Sequence, residues 1–123
     1  MRRIPLALLT SLLLSLAPLW AMAHLGHGAP GLALDLERVD RKGNTLTIEL
    51  RLENAGEEPL LLQGFSTDLG EVIILSGDRV LDAREVEKMT LSLVVKGEMP
   101  GIFTLIADFG EAGAGPVLVF TGA

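Results

Sequence analysis

Two histidines, His24 and His27, stand three positions apart, and they are the only ones in a chain of 123 residues that has no cysteine. Imidazole nitrogen is the commonest protein ligand for a metal, and its side chain titrates nearest to neutral pH. The residues before the pair sharpen its meaning. Met1-Arg2-Arg3 is a short positive start. Ile4 to Leu19 is apolar apart from Pro5, Thr10, Ser11, Ser15 and Pro18, and Ala21-Met22-Ala23 is a small-x-small cleavage site. This is the three-part pattern of an export signal over residues 1–23. A retained membrane anchor is the competing reading, but the apolar run is about 16 residues where a span needs roughly 20.

Cleavage after Ala23 would leave His24 as the first residue, so its α-amine and its imidazole can chelate one ion. His27, between Gly26 and Gly28, can bring a third nitrogen. Three nitrogens suit Cu(II), which prefers tetragonal N/O sites. The spacing is one residue too long for the square-planar site with His in third place, so the amine-plus-imidazole mode is the one expected. Met99, in the loop Gly97-Glu98-Met99-Pro100-Gly101, is a candidate soft ligand for Cu(I) or else a loop residue covering the core edge. The expected metal ligands are therefore His24, His27 and Met99. The same histidines also fit a solvated, processed terminus, or a pH sensor.

The elements that must carry these residues read as all-β. Leu32, Leu34 and Leu36 alternate with Ala33, Asp35 and Glu37. Leu46, Ile48, Leu50 and Leu52 alternate with Thr47, Glu49 and Arg51, and Met89, Leu91, Leu93 and Val95 with Thr90, Ser92 and Val94. Period two with one apolar face predicts half-buried strands. Leu60–Gln63, Val72–Leu75, Val80–Leu81, Ile102–Phe109 and Val117–Phe120 supply further strands. Asp40–Asn44 and Asn54–Glu57 read as turns, and Gly110, Gly113 and Gly115 as glycines of a loop. Only Asp82–Lys88 lacks strand alternation and reads as a helical turn. Seven or eight strands at this spacing predict an all-β, Ig-like or cupredoxin-like Greek-key sandwich over residues 32–123. It follows a flexible His/Gly arm at residues 24–31.

Composition narrows the function. The chain carries a net charge of −6, which becomes −8 once Arg2 and Arg3 leave with the signal. An acidic chain does not meet phosphates, so no nucleic-acid partner is expected. Without cysteine there is no zinc ribbon, Fe–S cluster, blue-copper site or thiol nucleophile. Thr45, Thr47, Thr90 and Ser92 have no histidine in the body to act as their base, so a Ser-His-acid triad is not expected. Glu57-Glu58 and Glu85/Glu87 read as solvated faces, because no aromatic sugar platform accompanies them. No phosphate-binding glycine motif or calcium loop occurs. The chain is not expected to be an enzyme. A copper enzyme with a histidine brace would need a second histidine from the sheet and a flat aromatic face, and the body offers neither.

From Leu46 onward the chain resembles the periplasmic copper chaperone family PCuAC. The resemblance rests on Leu50–Leu60 with its Asn54-Ala55-Gly56 turn, on Gly64-Phe65-Ser66, which is similar to the family's next turn, and on Ile102–Gly113 with its late glycine turn. The family's body His and Met ligands are missing. Ile73-Ile74-Leu75 stands where its first His would fall, so no ligand carries over. A His-initiated mature chain also resembles copper-resistance proteins of the CopC type, although their later Asp-x-His is absent. Both resemblances imply a small sandwich in copper handling. The expectation is thus a periplasmic or secreted protein that buffers or delivers copper to an envelope partner, touching the membrane only through its signal. The alternative expectation is a non-catalytic envelope interaction module without metal.

Overall fold

The computed structural model describes Ala29 and residues 31–123. The strands are β1 (Leu32–Lys42), β2 (Thr45–Asn54), β3 (Leu60–Leu61), β4 (Gly64–Ser66), β5 (Val72–Ser76), β6 (Val80–Leu81), β7 (Val86–Val94), β8 (Ile102–Asp108) and β9 (Ala114–Phe120). The expected all-β sandwich is the fold found. All pairings are antiparallel, in sheets ordered β1-β2-β7-β5 and β4-β8-β9, with a small β3-β6 ribbon. Without that ribbon, the two sheets have the four-plus-three strand order of a constant-type immunoglobulin sandwich.

The alternation seen in the sequence is what closes the core. In β2, Leu46, Ile48, Leu50 and Leu52 are fully buried, and across the ladder they meet Leu93, Leu91, Met89 and Glu87. The facing sheet contributes Leu105, Ala107, Val117 and Val119. Each such leucine taken from water is worth about 1.5–3 kcal/mol. Strand β1 follows the same logic with one slip. A bulge between Leu36 and Arg38 leaves Glu37 without a partner, so Val39 turns inward with Leu32, Leu34 and Leu36. The three-residue step from Leu36 to Val39 is the trace of that bulge in the sequence.

Three expectations are corrected. Asp82–Lys88 is not helical: Asp82–Glu85 is a tight turn, and Val86, Glu87 and Lys88 extend β7 opposite Glu53, Leu52 and Arg51. The alternation fails there because Glu87 lies in an inward-phase position near the sheet end, where its carboxylate accepts the Asp78 N–H at 2.6 Å. Gly115 is not a loop residue but a buried residue of β9. A Cβ there would meet Leu34 Cδ1 at 2.7 Å and Leu32 Cδ2 at 3.0 Å, so the missing side chain is what lets β1 lie against β9. Strand β1 also runs on through Asp40-Arg41-Lys42, which shortens the expected turn to Gly43-Asn44.

The registers define two ends. Leu32, Asn54, Val86 and the Asp108–Ala114 turn share one end, here called the upper. The Gly43–Asn44 hairpin, Val94, Ile102 and Phe120 share the lower end. Ten residues of β2 separate them, about 30 Å at 3.2–3.4 Å per residue.

Candidate functional site

His24 and His27 lie outside the described residues. The root of their arm does not. Ala29, expected to be flexible, is buried at 6% exposure, and its carbonyl accepts the Leu32 N–H at 3.2 Å. The Gly31 carbonyl accepts the Ala55 N–H at 2.7 Å. Gly31 sits at φ +76°, and a Cβ on it would meet the Gly56 nitrogen at 2.6 Å. Gly31 is therefore held on the Ala55–Gly56 turn, at the upper end, by a contact that only glycine permits.

What Gly31 rests on is organised by Asn54. This residue continues the inward phase of Leu46, Ile48, Leu50 and Leu52, and its side chain is completely buried. Its amide donates to the carbonyls of Glu58 (2.8 Å), Leu81 (3.1 Å) and Asp82 (3.2 Å). Its Oδ1 accepts the Gly56 N–H at 3.0 Å. One side chain thus ties the 55–59 loop to the 81–82 turn and leaves no buried polar atom of its own unmet. The Arg84–Glu57 ion pair joins the same two segments from outside, with Arg84 held at φ +66°.

Beside this knot lies an open groove of about 430 Å³ whose lining includes Gly31, Pro59 and Leu60 with Glu57, Glu58 and Glu111. Glu111 belongs to a single 3-10 turn, Gly110–Ala112, that closes the upper end of the β8–β9 pair. The carboxylates Glu57, Glu58 and Glu111 give the groove a negative potential next to the arm's root. Among the described residues, no three His, Cys, Asp or Glu side chains group closely enough to hold a metal ion.

Met99 is elsewhere. It is half-buried against the core in the 95–101 loop, at the lower end. That loop is held by the Val95 N–H to Asn44, the Lys96 N–H to Leu69 and the Thr121 N–H to Gly101. Met99 therefore lies at the opposite end of the sandwich from Ala29, through which the chain leads back to His24 and His27. Of the residues read as turns or solvated faces, Glu57 pairs with Arg84 and Glu87 caps Asp78. Thr47 and Ser92 face each other across β2 and β7. Sequence reasoning missed the role of Asn54, although its signal was present: a polar residue in the inward phase at the end of a perfect strand.

No protein-family model matches the chain. No curated protein matches it either. Among solved structures, it is similar to the secreted serine protease VesC from Vibrio cholerae, with a TM-score of 0.50 at 17% identity over 74% of this chain and 22% of that one. At that identity the likeness concerns the fold alone. This chain spans less than a quarter of the protease structure's length. The class defined by fold is an immunoglobulin-like sandwich. Among the described residues no helix is long and apolar enough to cross a membrane.

Proposed function

We propose that this protein is an exported copper-binding module. The sandwich serves as a non-catalytic scaffold, and His24 and His27 carry the metal. The observation that supports the reading is the seating of Gly31 on the Ala55–Gly56 turn that Asn54 organises, four residues after His27 in the sequence. The donor set fits the cargo: one amine and two imidazoles are borderline nitrogen ligands of the kind Cu(II) favours. The nearby Glu57, Glu58 and Glu111 raise the local concentration of cations. The resemblance to the PCuAC and CopC-type families points to the same cargo. Delivery is by ligand exchange, in which an envelope partner replaces the nitrogens one at a time. Because amine and imidazoles must lose protons to bind, affinity falls as pH drops.

The test has two parts. Mass spectrometry of the exported form should show His24 as its first residue. Copper titration of that form should then show one Cu(II) per chain, abolished by His24→Ala with His27→Ala. A processed chain that begins elsewhere, or equal binding by the double variant, contradicts the proposal.

A second reading, a metal-free envelope interaction module, is favoured by a separate observation: the outer face of β8 and β9 is apolar and exposed. On that reading the double histidine variant retains full function in the envelope.

A further inference from the structure

The upper end of the sandwich carries its charge unevenly. Its loops hold Glu57, Glu58, Asp82, Glu85, Asp108 and Glu111 against Arg84. Some of these carboxylates are already used. Glu57 holds the Arg84 guanidinium, and Asp108 accepts the Gly110 N–H at 2.8 Å. Arg79, another cation near this end, donates to the Gln63 carbonyl at 2.7 Å. Among the described residues, no cation pairs with Glu58 or Glu111. Both are exposed, and both line the groove of about 430 Å³ beside the Asn54 knot.

The groove between them is apolar and its walls are held. Leu60, buried at 5% exposure, is its floor, and Pro59 and Ala112 are exposed along it. One wall, residues 56–60, is fixed from beneath by the Asn54 amide. The other is the Gly110–Ala112 turn, closed by the Ala112 N–H on the Phe109 carbonyl (3.2 Å) and the Gly113 N–H on the Gly110 carbonyl (3.1 Å). Walls already in place lose little freedom when a ligand arrives. The carboxylates do not converge on a point, since among the described residues no three acidic or histidine side chains group closely enough for a metal ion. Separated carboxylates over an apolar floor suit a cation whose charge is also spread, carried on an apolar stem. An arginine side chain is that group. The chain supplies an instance on its own surface, because the cation on Glu57 is the Arg84 guanidinium. The hollow at the β1 bulge is not matched in this way: it is lined by Glu37, Arg38, Glu49 and Lys88, which already pair with one another.

We propose that this groove docks a partner protein through a short extended segment that presents an arginine beside an apolar residue. The apolar side chain covers Pro59 and Leu60, and the guanidinium meets Glu58 and Glu111. At about 430 Å³ the groove is at the small end of the roughly 300–1,000 Å³ range of ligand clefts. It therefore takes about two or three residues of extended chain and not a helix about 10–12 Å across. A contact that small is weak by itself, with a dissociation constant of about 0.1–1 mM for an isolated peptide. Part of the attraction is between exposed charges, so added salt loosens it. The docking uses no metal and goes beyond the copper reading without resting on it.

Amide NMR of the metal-free, isotope-labelled protein as exported, titrated with acetyl-Leu-Arg-Leu-amide, tests this. The expected result is saturable shifts at Gly56, Leu60, Ala112 and Gly113, with affinity falling at least about threefold between about 20 and 500 mM salt. Acetyl-Leu-Gln-Leu-amide should bind at least about tenfold more weakly. Glu58→Gln combined with Glu111→Gln should lose a similar factor of about ten, while Glu98→Gln, in the loop at the lower end, changes nothing. Arg84→Gln, which frees the Glu57 carboxylate, should tighten binding about two- to threefold. All four side chains are exposed, and the spectrum of each variant shows that it is folded. No shifts at about 5 mM peptide overturn the proposal, as do shifts confined to other faces or equal binding of the glutamine peptide. Arginine amide binding as tightly as the peptide also overturns it, in favour of a site for small organic cations. So do shifts of the same amides on concentrating the protein alone, which would put a second copy in the groove.

Discussion

The two ends of the sandwich are closed in different ways. At the upper end a buried amide, Asn54, gathers three carbonyls and one N–H, and the chain entering from Ala29 is clamped onto the loop it organises. At the lower end, among the described residues, no polar side chain is fully buried. Loops are joined there by single backbone contacts and by the Thr121 hydroxyl, which donates to the Pro100 carbonyl at 2.5 Å. The difference teaches where this fold spends its polar specificity. The end that the chain reaches from Ala29 is closed by a buried polar knot, whereas the end that carries Met99 is a loop over the core rim.

The comparison is open to attack by substitution. The largest effect is expected at Asn54. Asn54→Ala leaves the carbonyls of Glu58, Leu81 and Asp82 and the Gly56 N–H without their partner, a cost of about 3 kcal/mol by urea unfolding. A loss below about 1 kcal/mol would mean that the upper end does not depend on the knot. Gly31→Ala comes next, at about 2 kcal/mol, because the new Cβ must displace the Gly56 backbone at a positive φ. Its amide exchange should rise at Ala55 and leave Val95 protected, which separates local loosening from global unfolding. Met99→Ala should cost about 1 kcal/mol for a half-buried side chain and leave the Cu(II) affinity of the exported form unchanged. A drop in that affinity would join the two ends functionally, against the geometry. The smallest change is at Arg84. Arg84→Gly relieves a left-handed backbone worth about 1 kcal/mol but loses an exposed ion pair worth about 0–1 kcal/mol, so stability should shift by less than about 1 kcal/mol.

How far the sequence could be read varies from element to element. β2 and β7 were legible because each has one face in the core and one in water, and strict alternation is the direct image of that. In β1 the alternation was legible only as far as Glu37; the bulge that turns Val39 inward came from the pairing with β2. Glu87 was not legible, because an inward-phase carboxylate near a sheet end breaks the pattern while a backbone N–H satisfies it. Gly115 failed for a related reason: a glycine chosen for close packing looks identical to one chosen for a turn. The two short strands β3 and β6 were readable as apolar dipeptides, but nothing local said that Leu60 and Leu61 would pair with Leu81 and Val80. The candidate site divides in the same way. His24 and His27 stand out by position alone, while the knot beneath Gly31 depends on contacts 27 and 28 residues apart in the chain, which no local pattern encodes.

The central claim is that the α-amine of His24 and the two imidazoles together hold Cu(II). Isothermal titration of the chain beginning at His24, beside one carrying a single additional alanine before it, tests this most directly. The extra residue moves the amine out of its chelate ring and keeps every other group. The account predicts that affinity falls at least about tenfold with the added residue, a change of about 1.4 kcal/mol or more. Equal affinity in the two chains would contradict it.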